Sequence, residues 1–185
     1  VLTQFNSASL HNHISNTYLF DSFSRGFIQV LAAEQTYEHS SWYMGTADAV
    51  RKNFLHFDPM APEYYLILSG DQLYRMDLQD FFRSHVESGA EITVAVTPVS
   101  AEKVRHFGIL QVDKTGRINQ FVEKPKPEQD ISALKIPPSL AKQVEDLPED
   151  RPYLASMGIY MFSQGILEKA LDNEYQHLLS DEGKK

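Results

Sequence analysis

The stretch Leu66-Ile67-Leu68-Ser69-Gly70-Asp71-Gln72-Leu73-Tyr74-Arg75 runs an aliphatic segment straight into a carboxylate. It is read outward from Tyr64, where a continuous apolar run of strand length begins. Such runs suit central strands of a parallel sheet, buried on both faces. In open parallel sheets, ligands bind beyond the carboxyl ends of the strands. Asp71 stands at such an end, and Ser69-Gly70 removes side-chain bulk just before it, so a ligand has room to approach the backbone. A carboxylate there suits Mg²⁺, which takes oxygen ligands and bridges substrate phosphates. The competing reading is that Asp71 caps the turn before Gln72-Leu73.

Around this strand the pattern alternates. Leu10, Ile14 and Tyr18 fall at helical spacing over 9–20, with Ser7 or Ser9 as cap. Residues 27–33 read as a strand. Thr46 is a candidate cap for a helix whose apolar face is Ala47, Val50, Phe54 and Phe57. Asp77 caps a further helix with Leu78, Phe81, Phe82 and Val86 as its stripe. Residues 91–99 alternate as a strand, and 107–122 break into two strands around Lys114-Thr115-Gly116, a hairpin signal. Residues 125–152 are irregular, with one short helix expected near 138–144. A final strand covers 153–162, and 164–171 opens a helix. Alternating strands and helices predict an α/β layered fold with a mostly parallel central sheet.

Bulk properties narrow the function. The 185 residues carry a net charge of −8 with cations scattered singly. No basic stripe is present to neutralise a phosphate backbone, which argues against nucleic acid. A small phosphorylated ligand needs only one or two local cations. No apolar run approaches the roughly 20 residues that span a bilayer. Cysteine is absent, which excludes disulfides and thiolate metal sites and fits a cytosolic protein. No two of the seven histidines have the spacing of a zinc helix.

Five stretches, in order, resemble the glucose-1-phosphate adenylyltransferase (ADP-glucose pyrophosphorylase) family. They are LTQFNSASLHNHI from Leu2, WYMGTADAV from Trp42, LSGDQLYRMD from Leu68, the pair FGIL and FVEKPK between Phe107 and Lys126, and ASMGIYMF from Ala155. SGD alone fits many sugar nucleotidyltransferases; GTADAV with EKPK and ASMGIY is the specific combination. The resemblance implies a Rossmann-like domain that joins ATP to α-D-glucose 1-phosphate, giving ADP-glucose and pyrophosphate for glycogen or starch synthesis. It also implies Mg²⁺ dependence, allosteric control, a homo- or hetero-tetramer, and a cytoplasmic (or, in a plant, plastid) setting. A glycine-rich triphosphate loop, a second metal aspartate and a β-helix belong to the family pattern and are not among these residues. The 185 residues are therefore expected to be a single partial catalytic domain, incomplete at both ends and inactive alone.

Residue by residue, the resemblance gives Asp71 the metal and Lys124 the phosphate of glucose 1-phosphate. Lys124 would act as a point charge, aimed by a backbone that Pro125 biases toward extended. Glu123, Gly108, Ser156 and Tyr43 would contact the sugar phosphate. Gln35, Gly45, Thr46, Ala47 and Gly70 would surround the nucleotide, a glutamine amide suiting a base edge. Each has an ordinary alternative: a surface Glu123–Lys124 pair worth little, a bulge glycine at 108, a satisfied hydroxyl at 156, a solvated loop residue at 35. Trp42 is assigned to packing or effector signalling. Other outcomes left open are a transferase using UTP or dTTP, a non-catalytic regulatory subunit, and a binding module without turnover.

Overall fold

The computed structural model describes residues 1–5, 7–21, 23, 26–33, 42–57, 60–142, 144 and 147–171. The described chain divides into two units, Val1–Pro62 with residues 168–171, and Glu63–Leu167.

In the first unit, β1 (Leu2–Thr3) is followed by α1 (Ser7–Thr17), β2 (Leu31–Ala32) and α2 (Thr46–Phe57). β1 and β2 pair in parallel, Leu2 opposite Leu31 and Thr3 opposite Ala32. The predicted strand over 27–33 is thus laddered only at its end; the Val1 amino group instead donates to the Gln29 carbonyl at 2.6 Å. α1 buries Ile14 and half-buries Leu10, but Tyr18, expected on the same face, lies beyond the helix end and is exposed, and Ser7 is the first helical residue rather than its cap. α2 buries Val50 and Asn53, while Ala47, expected on the inner face, is exposed.

The second unit holds β3 (Tyr64–Ile67), α3 (Leu78–Ser88), β4 (Ile92–Val99), β5 (Gly108–Val112), β6 (Ile118–Glu123), α4 (Pro138–Ala141) and β7 (Tyr153–Ser163). Its five strands form one sheet in which every pair is antiparallel, so the expected mostly parallel sheet is corrected; the parallel pairing lies in β1–β2. The reason is topological. β3 and β4 both run opposite to β7 and hence run the same way as each other, as a strand–helix–strand unit requires. They are not neighbours, because β7 lies between them. Nor is β3 buried on both faces: Leu66 is exposed, as is Leu68 just after the strand. An apolar run reports burial propensity and says nothing of strand direction.

The helix and hairpin readings fare better. Asp77 accepts hydrogen bonds from the Gln79 and Asp80 amides, and Gly89 closes α3 in the left-handed conformation, φ 61°. Of the predicted stripe, Phe82 and Val86 are exposed; the residue α3 buries is His85. Its ring nitrogens lie 2.7 Å from the Thr93 hydroxyl and 3.0 Å from the Ser163 hydroxyl, which ties α3 to β4 and β7. Burial holds the His85 pKa below its ordinary value, favouring the neutral ring. The β5–β6 turn is built on Asp113, whose carboxylate accepts from the Thr115 and Arg117 amides. Val99, Val104, Ile109, Leu134, Tyr153 and Ala155 form the core that fixes β5 and β7 against the irregular segment.

Candidate active site

The pairing of β7 sets the site. One edge of β7 is taken by β4, from Ile92 opposite Phe162 to Val99 opposite Tyr153. The other edge is shared end to end: β3 pairs with Tyr160–Ser163, and β5 pairs with Leu154 and Ala155. Between them Ser156, Met157, Gly158 and Ile159 have no strand partner on that edge among the described residues. Because β3 runs toward this gap, its exit, Ser69-Gly70-Asp71, opens onto it. Because β5 runs away from it, its first residue, Gly108, stands at the opposite lip. Gly108 pairs with Glu123 on β6, and Lys124 follows directly.

This split therefore gathers Gly70, Asp71, Gly108, Glu123, Lys124 and Ser156, which are scattered over 87 residues of sequence. The gap lies beyond the carboxyl ends of β3 and β6 and at the start of β5. Asp71 is exposed, and one carboxylate oxygen accepts a short hydrogen bond from the Ser69 hydroxyl. The Gln72 side-chain amide donates to the Met157 carbonyl across the gap. The Ser156 hydroxyl lies 3.1 Å from the Tyr160 hydroxyl and accepts from the Gly158 amide at 3.2 Å.

At the other lip, a methyl group on Gly108 would fall 2.3 Å from Phe121 Cζ and 2.8 Å from Glu123 Oε2. Glycine is thus what lets the Phe121 ring and the Glu123 carboxylate lie across β5. Lys124 Nζ is 3.4 Å from Glu123 Oε1, with both side chains more than half exposed. Such a pair contributes little to stability and leaves both charges accessible. The Lys124 backbone corrects an expectation: φ is 43°, left-handed rather than extended. Proline disfavours the right-handed helical region for the residue before it, and the same turn appears at Ala61 before Pro62, φ 44°. Lys124 N still donates to Phe107 O at 3.1 Å, so the ladder continues one bond beyond β6 as the chain turns into buried Pro125. An open cavity of about 600 Å³ beside Pro125 is lined by Glu102, Arg105, Lys126 and Asp130, and none of the split residues lines it.

In the first unit, Tyr43, Gly45, Thr46 and Ala47 lie at the start of α2. Thr46 is the first helical residue rather than the cap. The Gly45 carbonyl takes the first intrahelical bond, from Ala49 N, and Gly45 has φ 133°. Asp48 accepts from the Met44 amide at 3.0 Å, one residue before the Gly45 cap, and so ties the entering chain to the first turn. Arg51 and Lys52 also pair with Asp48. Burial works against the Asp48 charge, but the amide and the two cations outweigh it and hold its pKa below the ordinary range. Tyr43 is half-buried: its amide donates to Gln4 Oε1 at 2.7 Å, and its hydroxyl accepts from Asn53 Nδ2 at 2.7 Å. Gln35 lies outside the described residues.

The family model for nucleotidyl transferases matches residues 1–185. The chain belongs to this family. For a nucleotidyl transferase, the split supplies a carboxylate, an ammonium, a hydroxyl pair and a glycine-lined approach within one gap of one sheet. Sequence reasoning passed over Gln72, Gly158 and Tyr160. Gly158 has φ 66°, and a methyl group there would sit 3.2 Å from Ser69 Cβ. A glycine inside a strand pattern signals such a bulge or close approach, and that signal was available in ASMGIY. Gln72 carried none, because its partner is 85 residues away.

Proposed function

We propose that this nucleotidyl transferase joins ATP to α-D-glucose 1-phosphate, giving ADP-glucose and pyrophosphate for glycogen or starch synthesis, as a tetrameric enzyme of the cytoplasm or a plastid. The observation that carries the sugar-phosphate half of this reading is the split beside β7, which collects Asp71, Gly108, Glu123, Lys124 and Ser156. The adenylyl half rests on the likeness of GTADAV, EKPK and ASMGIY to the adenylyltransferases, with Gly45, Thr46, Ala47, Gly70 and Gln35 as the proposed nucleotide contacts; Tyr43 is a further proposed contact of the sugar phosphate.

A phosphate oxygen of the sugar phosphate attacks the α-phosphorus of ATP, the new P–O bond forms, and the bond to pyrophosphate breaks. Such transfers are governed by positioning and charge stabilisation. Lys124 holds the attacking phosphate, with an ammonium more than half exposed and a backbone fixed by its left-handed turn. Glu123 accepts hydrogen bonds from sugar hydroxyls, and the Ser156 hydroxyl donates to or accepts from them. Asp71 is the proposed Mg²⁺ ligand. The donor set fits: Mg²⁺ characteristically takes one or two carboxylates and completes its shell with water and phosphate oxygens. Among the described residues no group of three or more His, Asp or Glu forms an all-protein cage. When bound, the ion would neutralise charge developing on the transferring phosphates.

The test is pyrophosphate release from glucose 1-phosphate with ATP, UTP or dTTP, in the intact protein and its Asp71→Asn variant. ATP should be preferred, and the variant should lose at least about 100-fold in kcat. Preference for UTP or dTTP would reassign the nucleotide; full activity of Asp71→Asn in saturating Mg²⁺ would remove Asp71 from the chemistry.

A further inference from the structure

The split is closed at its base by contacts that join the two halves of the proposed site. Between Val94 opposite Tyr160 and Val96 opposite Ser156, β4 advances two residues while β7 advances four. β7 thus carries two extra residues, and Gly158 takes the left-handed turn that accommodates them. This bulge presses on the loop after β3 at two points. Gly158 backs directly onto Ser69, leaving 3.2 Å for a methyl group that glycine lacks. The Met157 carbonyl accepts from the Gln72 amide. Asp71 lies between Ser69 and Gln72, exposed, its carboxylate bonded to Ser69 within the same loop.

We infer that Gln72 is a positioning residue: its hydrogen bond to Met157 sets the distance between the Asp71 carboxylate and the sugar-facing segment that begins at Ser156. This rests on the reading of Asp71 as metal ligand given above. Leu73, on the far side of Gln72, is fully exposed and packs on nothing. The strand anchor ends at Ile67, and the next regular element, α3, begins at Leu78. Over the stretch between them, the Gln72–Met157 bond is the long-range tie nearest Asp71 among the described residues. Loss of this bond leaves Asp71 in the site but lets it drift relative to Ser156, and a metal shared between protein and substrate feels that displacement directly.

The experiment compares Gln72→Met, of equal length without a donor, with Gln72→His, whose ring N–H has similar reach, in the intact protein. Mg²⁺ dependence, kcat and thermal unfolding are measured, with Asp71→Asn as reference. Gln72→Met should raise the half-saturating Mg²⁺ about 3- to 10-fold, the worth of one neutral hydrogen bond, with a smaller change in the sugar-phosphate KM. Gln72→His should recover most of the loss, and unfolding temperatures should stay level. Gly158→Ala, which pushes Ser69 from the opposite side, should shift Mg²⁺ dependence in the same direction. Unchanged Mg²⁺ dependence in Gln72→Met beside an inactive Asp71→Asn overturns the tether alone. So do failure of Gln72→His to recover, or equal destabilisation of both Gln72 variants. An active Asp71→Asn overturns the underlying reading instead.

Discussion

The two groups of candidate residues are held in different ways. At the start of α2, Tyr43 to Asp48 are contiguous, and three local bonds, Asp48 to Met44, Gly45 to Ala49 and Asn53 to Tyr43, hold them beside a single long-range bond from the Tyr43 amide to Gln4. At the split, the residues come from β3, β5, β6 and β7, and their proximity is a consequence of strand register. A local turn tolerates change at one member because its neighbours are covalently near. A register-built site has no such reserve, since each strand contributes one or two groups. Substitutions at the split should therefore cost function out of proportion to stability, and those at the turn the reverse.

The largest contrast is expected at Lys124. Lys124→Ala should raise the KM for glucose 1-phosphate by about 10- to 150-fold, the loss of one charge-assisted contact, and leave the nucleotide KM unchanged. Lys124→Gly should show the same KM loss yet unfold at a higher temperature than Lys124→Ala. Glycine relieves the left-handed backbone at φ 43°, a difference of about 1 kcal/mol. Equal unfolding temperatures would remove the strain argument.

Gly108→Ala sharpens the comparison at middle scale. The new methyl group must displace the Phe121 ring tip and the Glu123 carboxylate. Both are ends of partly exposed side chains, so the stability loss should be about 1 kcal/mol. The displaced carboxylate should weaken sugar-phosphate binding severalfold, measured by KM and chemical denaturation on the same protein.

The smallest functional effect belongs to the turn. Asp48→Asn should cost about 1 kcal/mol of stability through the weakened cap and leave the sugar-phosphate KM unchanged. The folded-state pKa of Asp48 lies below the ordinary aspartate value of 3.8. Its contribution is therefore fully present above that value and is lost as pH falls below it. Denaturation curves of wild type and Asp48→Asn should converge in acid. A fall in sugar-phosphate affinity in Asp48→Asn would break the contrast between the two regions.

What the sequence disclosed follows the same division. The Asp77 cap, the Gly116 hairpin and the excursion with its short helix at Pro138–Ala141 depend on near neighbours, and they were legible. The direction of the sheet was not, because β7 separates β3 from β4 and lies more than fifty residues beyond either. Lys124 was expected extended from the proline that follows it, a rule that excludes one region of backbone space and leaves two. Asp71 stood out from its place at the end of an apolar run, whereas Glu123, Lys124 and Ser156 were picked out by likeness to a family, and nothing in their spacing reveals that one gap in one sheet unites them.

The gap beside β7 is proposed as the place where sugar phosphate and metal meet. Amide hydrogen exchange of the intact protein, with and without glucose 1-phosphate and Mg²⁺, tests it directly. Added protection should fall on residues 107–109, 122–124 and 156–159 with the sugar phosphate, and extend to 69–72 when Mg²⁺ is also present with the nucleotide. Protection confined to the cavity lined by Arg105, Lys126 and Asp130, with the edge of β7 unchanged, would contradict the account.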